Sequence, residues 1–247
     1  MPKFFLSCDS VPADFSPTTI SITGNDAFHL SRVLRIKNGE VLQVSDQNRR
    51  LFTGSVVSVS DSEVVLSVLS ITEDNAEPDV KVTVYQALVK GDKFDTVIQK
   101  SVECGACEIV PVICERCIVK IDDTSRQKKV ARWQKIADEA AKQCGRGILP
   151  NVCEPITFRQ AIDRMSYDGF SFVCYEGKNV VPIKELLRSS DSKSISFLIG
   201  PEGGLSESEY ELASKVTKLC GLGPRILRTE TASTVVLSAI MYHTDNL

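Results

Sequence analysis

The sequence predicts an α/β protein in which a small, mostly β domain precedes a larger domain built on a largely parallel sheet. Three observations predict it. Up to about residue 72, short β-rich runs flank a single helical insert. From residue 80 onward, strands are separated by longer helices, as a parallel sheet requires. With 247 residues, 43% of them hydrophobic, the chain can bury cores of this size.

In chain order, strands are expected at Thr19 to Thr23, Glu40 to Asp46, Leu51 to Ser58 and Glu63 to Ile71. Between the first two, Asn25 to Arg35 reads as a helix with Phe28, Leu30, Val33 and Leu34 on an apolar face, closed by the turn Asn38-Gly39. The acidic stretch TEDNAEPD holds no apolar residue larger than alanine and reads as a linker. Domains are therefore expected at 1–72 and 80–247, joined by residues 73–79. Val80 to Val89 is a buried-type strand, Asp92 to Glu103 a helix ended by Gly105, and Glu108 to Ile113 a strand. Thr124 to Cys144 is a long helix with Val130, Trp133, Ala137, Ala140 and Cys144 on one face. Strands at Phe170 to Tyr175 and Ser194 to Ile199 and helices at Ser206 to Thr217 and Thr229 to His243 complete the pattern.

Several function classes are disfavoured by supply. No apolar run reaches the roughly 20 residues of a membrane span and no signal-peptide core is evident, so the expected compartment is the cytoplasm. Nine scattered cysteines then read as thiols. Cys104-x-x-Cys107 and Cys114-x-x-Cys117 superficially resemble zinc ligands, but six intervening residues are too few for a ribbon and successive strand positions face opposite sides; no metal is expected. Two histidines, His29 and His243, leave little room for a triad. Neither a dinucleotide fingerprint nor a P-loop is present. The net charge of −3 argues against indiscriminate coating of nucleic acid. That charge is uneven: residues 112–150 carry nine Lys or Arg against five Asp or Glu, whereas 73–111 carry four against eight.

Two segments concentrate candidate chemistry. In Ser194 to Ser206, an apolar strand runs into Gly-Pro-Glu-Gly-Gly and then a helix, with Ser206 and Glu209 spaced as a capping box. In Leu222 to Thr234, a second glycine-bearing turn and a short apolar strand open onto a helix beginning Arg228-Thr229-Glu230-Thr231. Thr229 or Thr231 is a candidate N-cap. Arg228 and Glu230 read equally well as a surface ion pair or as site residues.

At these residues the sequence closely resembles the RsmE family of small-subunit ribosomal RNA methyltransferases, which methylate N3 of a uridine. The matching stretches are IGPEGGLS (199–206), LGPRILRTETA (222–232), KGDKFDTVIQKSVECG (90–105), ERC (115–117), RWQKIADEAAKQCGR (132–146) and HLSRVLRIKNGE (29–40). The resemblance implies a SPOUT-type C-terminal domain threaded into a trefoil knot, an N-terminal PUA-like barrel, a homodimer and bound S-adenosylmethionine. It implies a cofactor pocket formed by Tyr175, Glu176, Gly200, Glu202, Gly203, Leu222, Gly223, Pro224, Leu227 and Thr231, with Glu176 on the ribose hydroxyls. Arg228 and Glu230 become the catalytic candidates, one stabilising negative charge on the uracil and the other removing the N3 proton. Flanking RNA phosphates fall to Lys3, which stands where family members commonly carry arginine, and to Arg32, Arg35, Arg49 and Arg50. Arg132, Lys135, Lys142 and Arg146 form a second expected basic surface. The alternatives are a non-catalytic RNA-binding or ribosome-assembly protein and a nucleotide-using enzyme unrelated to RNA. Binding of S-adenosylmethionine separates the methyltransferase reading from both alternatives.

Overall fold

The structure, a computed structural model, describes residues 3–6, 16–119 and 121–247. Two compact units emerge: residues 1–77 with 141–149, and residues 78–140 with 150–247.

The first unit contains β1 (Phe4–Phe5), β2 (Thr19–Thr23), α1 (Gly24–Phe28), β3 (Val41–Ser45), β4 (Arg50–Val59) and β5 (Glu63–Glu73) in one sheet of order β1-β3-β4-β5-β2. Alternation puts Ile20, Ile22, Leu42, Val44, Phe52 and Leu66 into its core. The helical insert departs from expectation. After α1 the backbone passes into a π-helical turn, His29–Val33, and ends with Arg35 in the left-handed region (φ 51°) while the Ile36 amide donates to the Leu30 carbonyl. The wider turn rotates the predicted face apart: Leu30 is buried, whereas Phe28 is 53% exposed and Val33 and Leu34 also face solvent.

The acidic stretch is held down at two points. Asp74, 3% exposed, receives two hydrogen bonds from the Lys3 ammonium (2.9 and 3.0 Å). Glu77 takes the Arg146 guanidinium (2.7 and 2.8 Å) together with the amides of Gly147 and Ile148. A Cβ on Gly147 would stand 2.6 Å from the Asp74 carboxylate, so only glycine permits this approach. Residues 145–149 thereby become part of the first unit although they lie far along the chain.

The second unit runs β6 (Lys81–Ala87), α2 (Lys93–Glu103), β7 (Glu108–Ile113), α3 (Asp123–Cys144, its last turn in the first unit), β8 (Asn151–Val152), β9 (Ile156–Thr157), α4 (Phe158–Met165), β10 (Phe170–Cys174), β11 (Val181–Pro182), α5 (Ile183–Arg188), β12 (Ser194–Ile199), α6 (Glu207–Val216), β13 (Lys218–Gly221) and α7 (Thr229–His243). The sheet order is β11-β13-β10-β12-β6-β7-β8, with β9 also on β7, and every pairing is parallel. Near-continuous apolar strands suit a sheet covered on both faces. Phe172 and Phe197 stack across β10 and β12 at 6.0 Å in that core. Gly105 ends α2 at φ 90°, and a Cβ there would meet Met241 of α7 at 2.8 Å, so the two helices pack through a glycine. No helix among the described residues is long and apolar enough to cross a membrane.

Candidate active site

Parallel sheets bind ligands beyond the carboxyl ends of their strands. Here β10 lies between β12 and β13, and the loops leaving these three strands enclose, with the start of α7, a cavity of about 580 Å³. That volume suits a small organic ligand.

Local sequence shapes each wall. Beyond β12, the Gly204 amide closes a turn onto the Pro201 carbonyl (2.9 Å), with Gly204 at φ 68°. Ser206 and Glu209 then form the predicted capping box at the start of α6. Arg116 braces this loop from outside by donating to the Gly203 carbonyl (3.0 Å). Beyond β13, Gly223 takes φ 104°, which a residue with a side chain rarely adopts. Beyond β10, a Cβ on Gly177 would sit 2.2 Å from the Tyr175 ring, and one on Gly221 would sit 2.6 Å from Val180. Both glycines are dictated by contact.

Tyr175, Glu176, Gly200, Glu202, Leu222, Gly223, Pro224, Leu227, Arg228 and Glu230 all line the cavity. Gly203 and Thr231 are not brought to it: Gly203 backs onto Arg116, and Thr231 is exposed on α7. Sequence reasoning missed Lys93, whose ammonium meets the Glu202 carboxylate at 3.1 Å beside the same cavity. Its signal was position, since Lys90 to Lys93 leave the carboxyl end of β6. The short strand expected within Leu222 to Arg228 does not form; β13 precedes it, and Ile226 is 80% exposed in an open loop.

The start of α7 holds the unusual chemistry. Neither threonine caps the helix: Arg228 is the N-cap residue, without a side-chain capping bond, and the Thr229 hydroxyl donates to the Gly200 carbonyl (2.9 Å). Arg228 is exposed and its side chain has no hydrogen bond or ion pair to any described residue. Glu230 Oε2 is buried and has no partner. Buried polar oxygens are normally satisfied, so an orphaned carboxylate oxygen on a residue of the cavity lining is an unusual feature of this helix start. The surface-pair reading of these two residues therefore fails.

Beside the braced loop, Cys114 and Cys117 share a turn in which the Cys114 amide donates to the Cys117 sulfur (3.3 Å). The Cys114 thiol hydrogen bond and nearby amides bring the Cys117 pKa down to about 7 against the effect of burial, while the same thiol contact and burial push Cys114 up. Among the described residues no group of three or more His, Cys, Asp or Glu is placed to hold a metal ion.

The expected basic surfaces are corrected by their partners. Lys3 is not available to phosphate: it is 8% exposed and spent on Asp74 and the Gly145 carbonyl. Arg50 is held by Asp46 and lies over the Phe52 ring. Arg32 pairs with Asp61, though both are exposed. Arg132, Lys135, Lys142 and Arg146 pair with Asp95, Glu139, Asp26 and Glu77, so this second basic surface is largely neutralised. Arg35 and Arg49 both adopt positive φ, and Arg35 is exposed.

Comparison with known proteins agrees with this geometry. Residues 76–241 match the family described as RNA methyltransferase domain, and residues 22–69 match the RNA methyltransferase PUA domain. The chain is 38% identical to ribosomal RNA small subunit methyltransferase E of Bacillus subtilis, covering 100% of this chain and 98% of that one. It is 32% identical to the protein of the same name from Synechocystis, over 93% and 75% of the two chains. A crystal structure of a ribosomal RNA small subunit methyltransferase E from Neisseria gonorrhoeae bound to S-adenosylmethionine superposes with a TM-score of 0.84 at 33% identity, covering 98% and 97% of the chains.

Proposed function

Because the chain belongs to the ribosomal RNA small subunit methyltransferase E family, we propose that it methylates N3 of one uridine in small-subunit ribosomal RNA, with S-adenosylmethionine as donor. The observation that carries the chemical part is that the cavity lining holds both Arg228, whose side chain has no partner among the described residues, and Glu230, one of whose carboxylate oxygens is orphaned.

The cavity fits the cofactor. Its glycine-rich loops offer backbone amides and carbonyls at close range, Glu176 offers a carboxylate to ribose hydroxyls, and the Tyr175 ring supplies an apolar face. When bound, S-adenosylmethionine supplies an electrophilic methyl group. The residues of the chain prepare the nucleophile. N3 of uracil bears a weakly acidic proton, which the Glu230 carboxylate accepts. Negative charge then spreads onto O2 and O4, where the Arg228 guanidinium donates hydrogen bonds. The first turn of the 15-residue α7 adds positive potential from its unpaired amides. N3 lies on the Watson–Crick edge, so the target base enters unpaired or extruded.

In this reading the first unit, which takes in residues 73–77 and 141–149 beyond the expected boundary at 72, is the PUA-like RNA-binding domain, and the second unit is the methyltransferase domain, whose loops around the pocket are threaded as the trefoil knot of SPOUT enzymes. Arg35 contacts phosphate, and Arg32 joins it by exchanging its screened partner Asp61. The enzyme works in the cytoplasm as a homodimer. The test is transfer of labelled methyl to small subunits lacking the modification, with mapping of the product base. One N3-methyluridine is expected; subunit binding without methyl transfer would instead make the chain an assembly protein.

A further inference from the structure

We infer that Gln86 is a positioning residue for methyl transfer, fixing the start of α7 against the glycine loop through one buried carboxamide. Gln86 is the penultimate residue of β6, is 0% exposed, and lies in register with Ile199, the last residue before Gly200. Its Nε2 donates to the Thr229 hydroxyl (2.9 Å) and to the Ala87 carbonyl (3.2 Å). Its Oε1 accepts from the Ser233 hydroxyl, one turn further along α7. Thr229 then passes its own proton to the Gly200 carbonyl (2.9 Å).

The direction of this relay is determined. Turning the amide over would face Oε1 toward Thr229, whose single hydroxyl proton would have to leave Gly200 to satisfy it. Only the observed orientation lets Gln86 supply the donor, Thr229 serve as both acceptor and donor, and Gly200 be held. Arg228 and Glu230 flank Thr229 on either side, and Gly200 opens the opposing wall. A central strand therefore sets the separation of both walls through one side chain that does not itself line the cavity. Buried polar groups cost stability unless fully paired, so an apolar side chain would hold the sheet together as well. What the carboxamide adds is orientation, on which catalytic rates depend steeply.

This inference rests on the methyltransferase reading of the pocket, so its test keeps the two separable. Single-turnover methyl transfer, the Kd for S-adenosylmethionine and Tm are measured for the wild type, Gln86→Met, Gln86→Glu and Ser233→Ala. Gln86→Met is expected to slow transfer at least tenfold at temperatures where the protein is folded, with a smaller rise in Kd. Ser233→Ala, which removes one anchor of the amide without altering the strand, is expected to shift the rate in the same direction by less, and it decides the matter if Gln86→Met does not fold. The ratio of Gln86→Glu to wild-type rate should fall as pH rises and the introduced carboxyl loses its donor proton, whereas the Gln86→Met ratio stays flat. Rates within twofold of wild type for folded Gln86→Met, or for Ser233→Ala where Gln86→Met does not fold, overturn the positioning role, as does a Gln86→Glu ratio that does not change with pH. A wild type that transfers no methyl overturns the functional reading instead.

Discussion

The buried ion pairs of the first unit and the start of α7 in the second treat charge in opposite ways. In the N-terminal unit, Lys3, Arg146 and Arg50 are each spent on a carboxylate that is 6% exposed or less at its side chain. At the start of α7, Arg228 has no side-chain partner among the described residues, and Glu230 keeps one oxygen buried and unsatisfied by them. A satisfied charge reports on how the chain is held together. An unsatisfied one on a residue that lines a cavity is a candidate for work on what the cavity receives.

The sharpest way to break this contrast is to remove one partner on the satisfied side. Glu77→Ala removes the buried carboxylate that accepts from the Arg146 guanidinium and from two backbone amides, and is expected to destabilise the protein by about 3–5 kcal/mol, read by urea or thermal unfolding. Glu230→Gln does the converse. It should leave unfolding within about 0.5 kcal/mol of wild type while slowing methyl transfer on the order of 10²-fold or more, read in single-turnover assays. A smaller effect is expected at the RNA side: Arg35→Ala should weaken RNA binding and lower the slope of log K against log salt by about one, whereas conversion of Lys142, largely covered and paired with Asp26, should leave that slope unchanged. The mildest concerns the turn beside the glycine loop. Cys117 gains stability as thiolate once pH rises through its lowered pKa, so alkylation should be half-maximal near pH 7, with Cys114 still protonated there.

Much of the fold was legible because it rests on local rules. The capping box at Ser206 and Glu209, the strand Ser194–Ile199 and the alternation of β2 to β5 need only near neighbours in sequence to be read. The short elements α4, α5 and β13 were missed, since 4 to 8 residues carry too little periodicity to stand out. Partners distant in sequence were also out of reach. Nothing near Lys3 announces that Asp74 and Gly145 will occupy it, and a basic residue read alone looks like a phosphate contact. The helix beginning at Thr229 failed as a capping prediction for the same reason: its hydroxyl is claimed by Gln86 and Gly200, on two other segments of the chain. Arg228 and Glu230 were visible as residue types at a helix start, yet only three-dimensional placement shows that they do not pair with each other.

The most direct measurement is therefore made on Arg228→Ala, with methyl transfer to unmodified small subunits and S-adenosylmethionine binding determined on the same preparation. Transfer reduced by about 10²–10³-fold or lost, with cofactor Kd within a few-fold of wild type, is the predicted result. A variant that still methylates N3 of the target uridine at near wild-type rate would contradict the assignment of the unpaired arginine to catalysis.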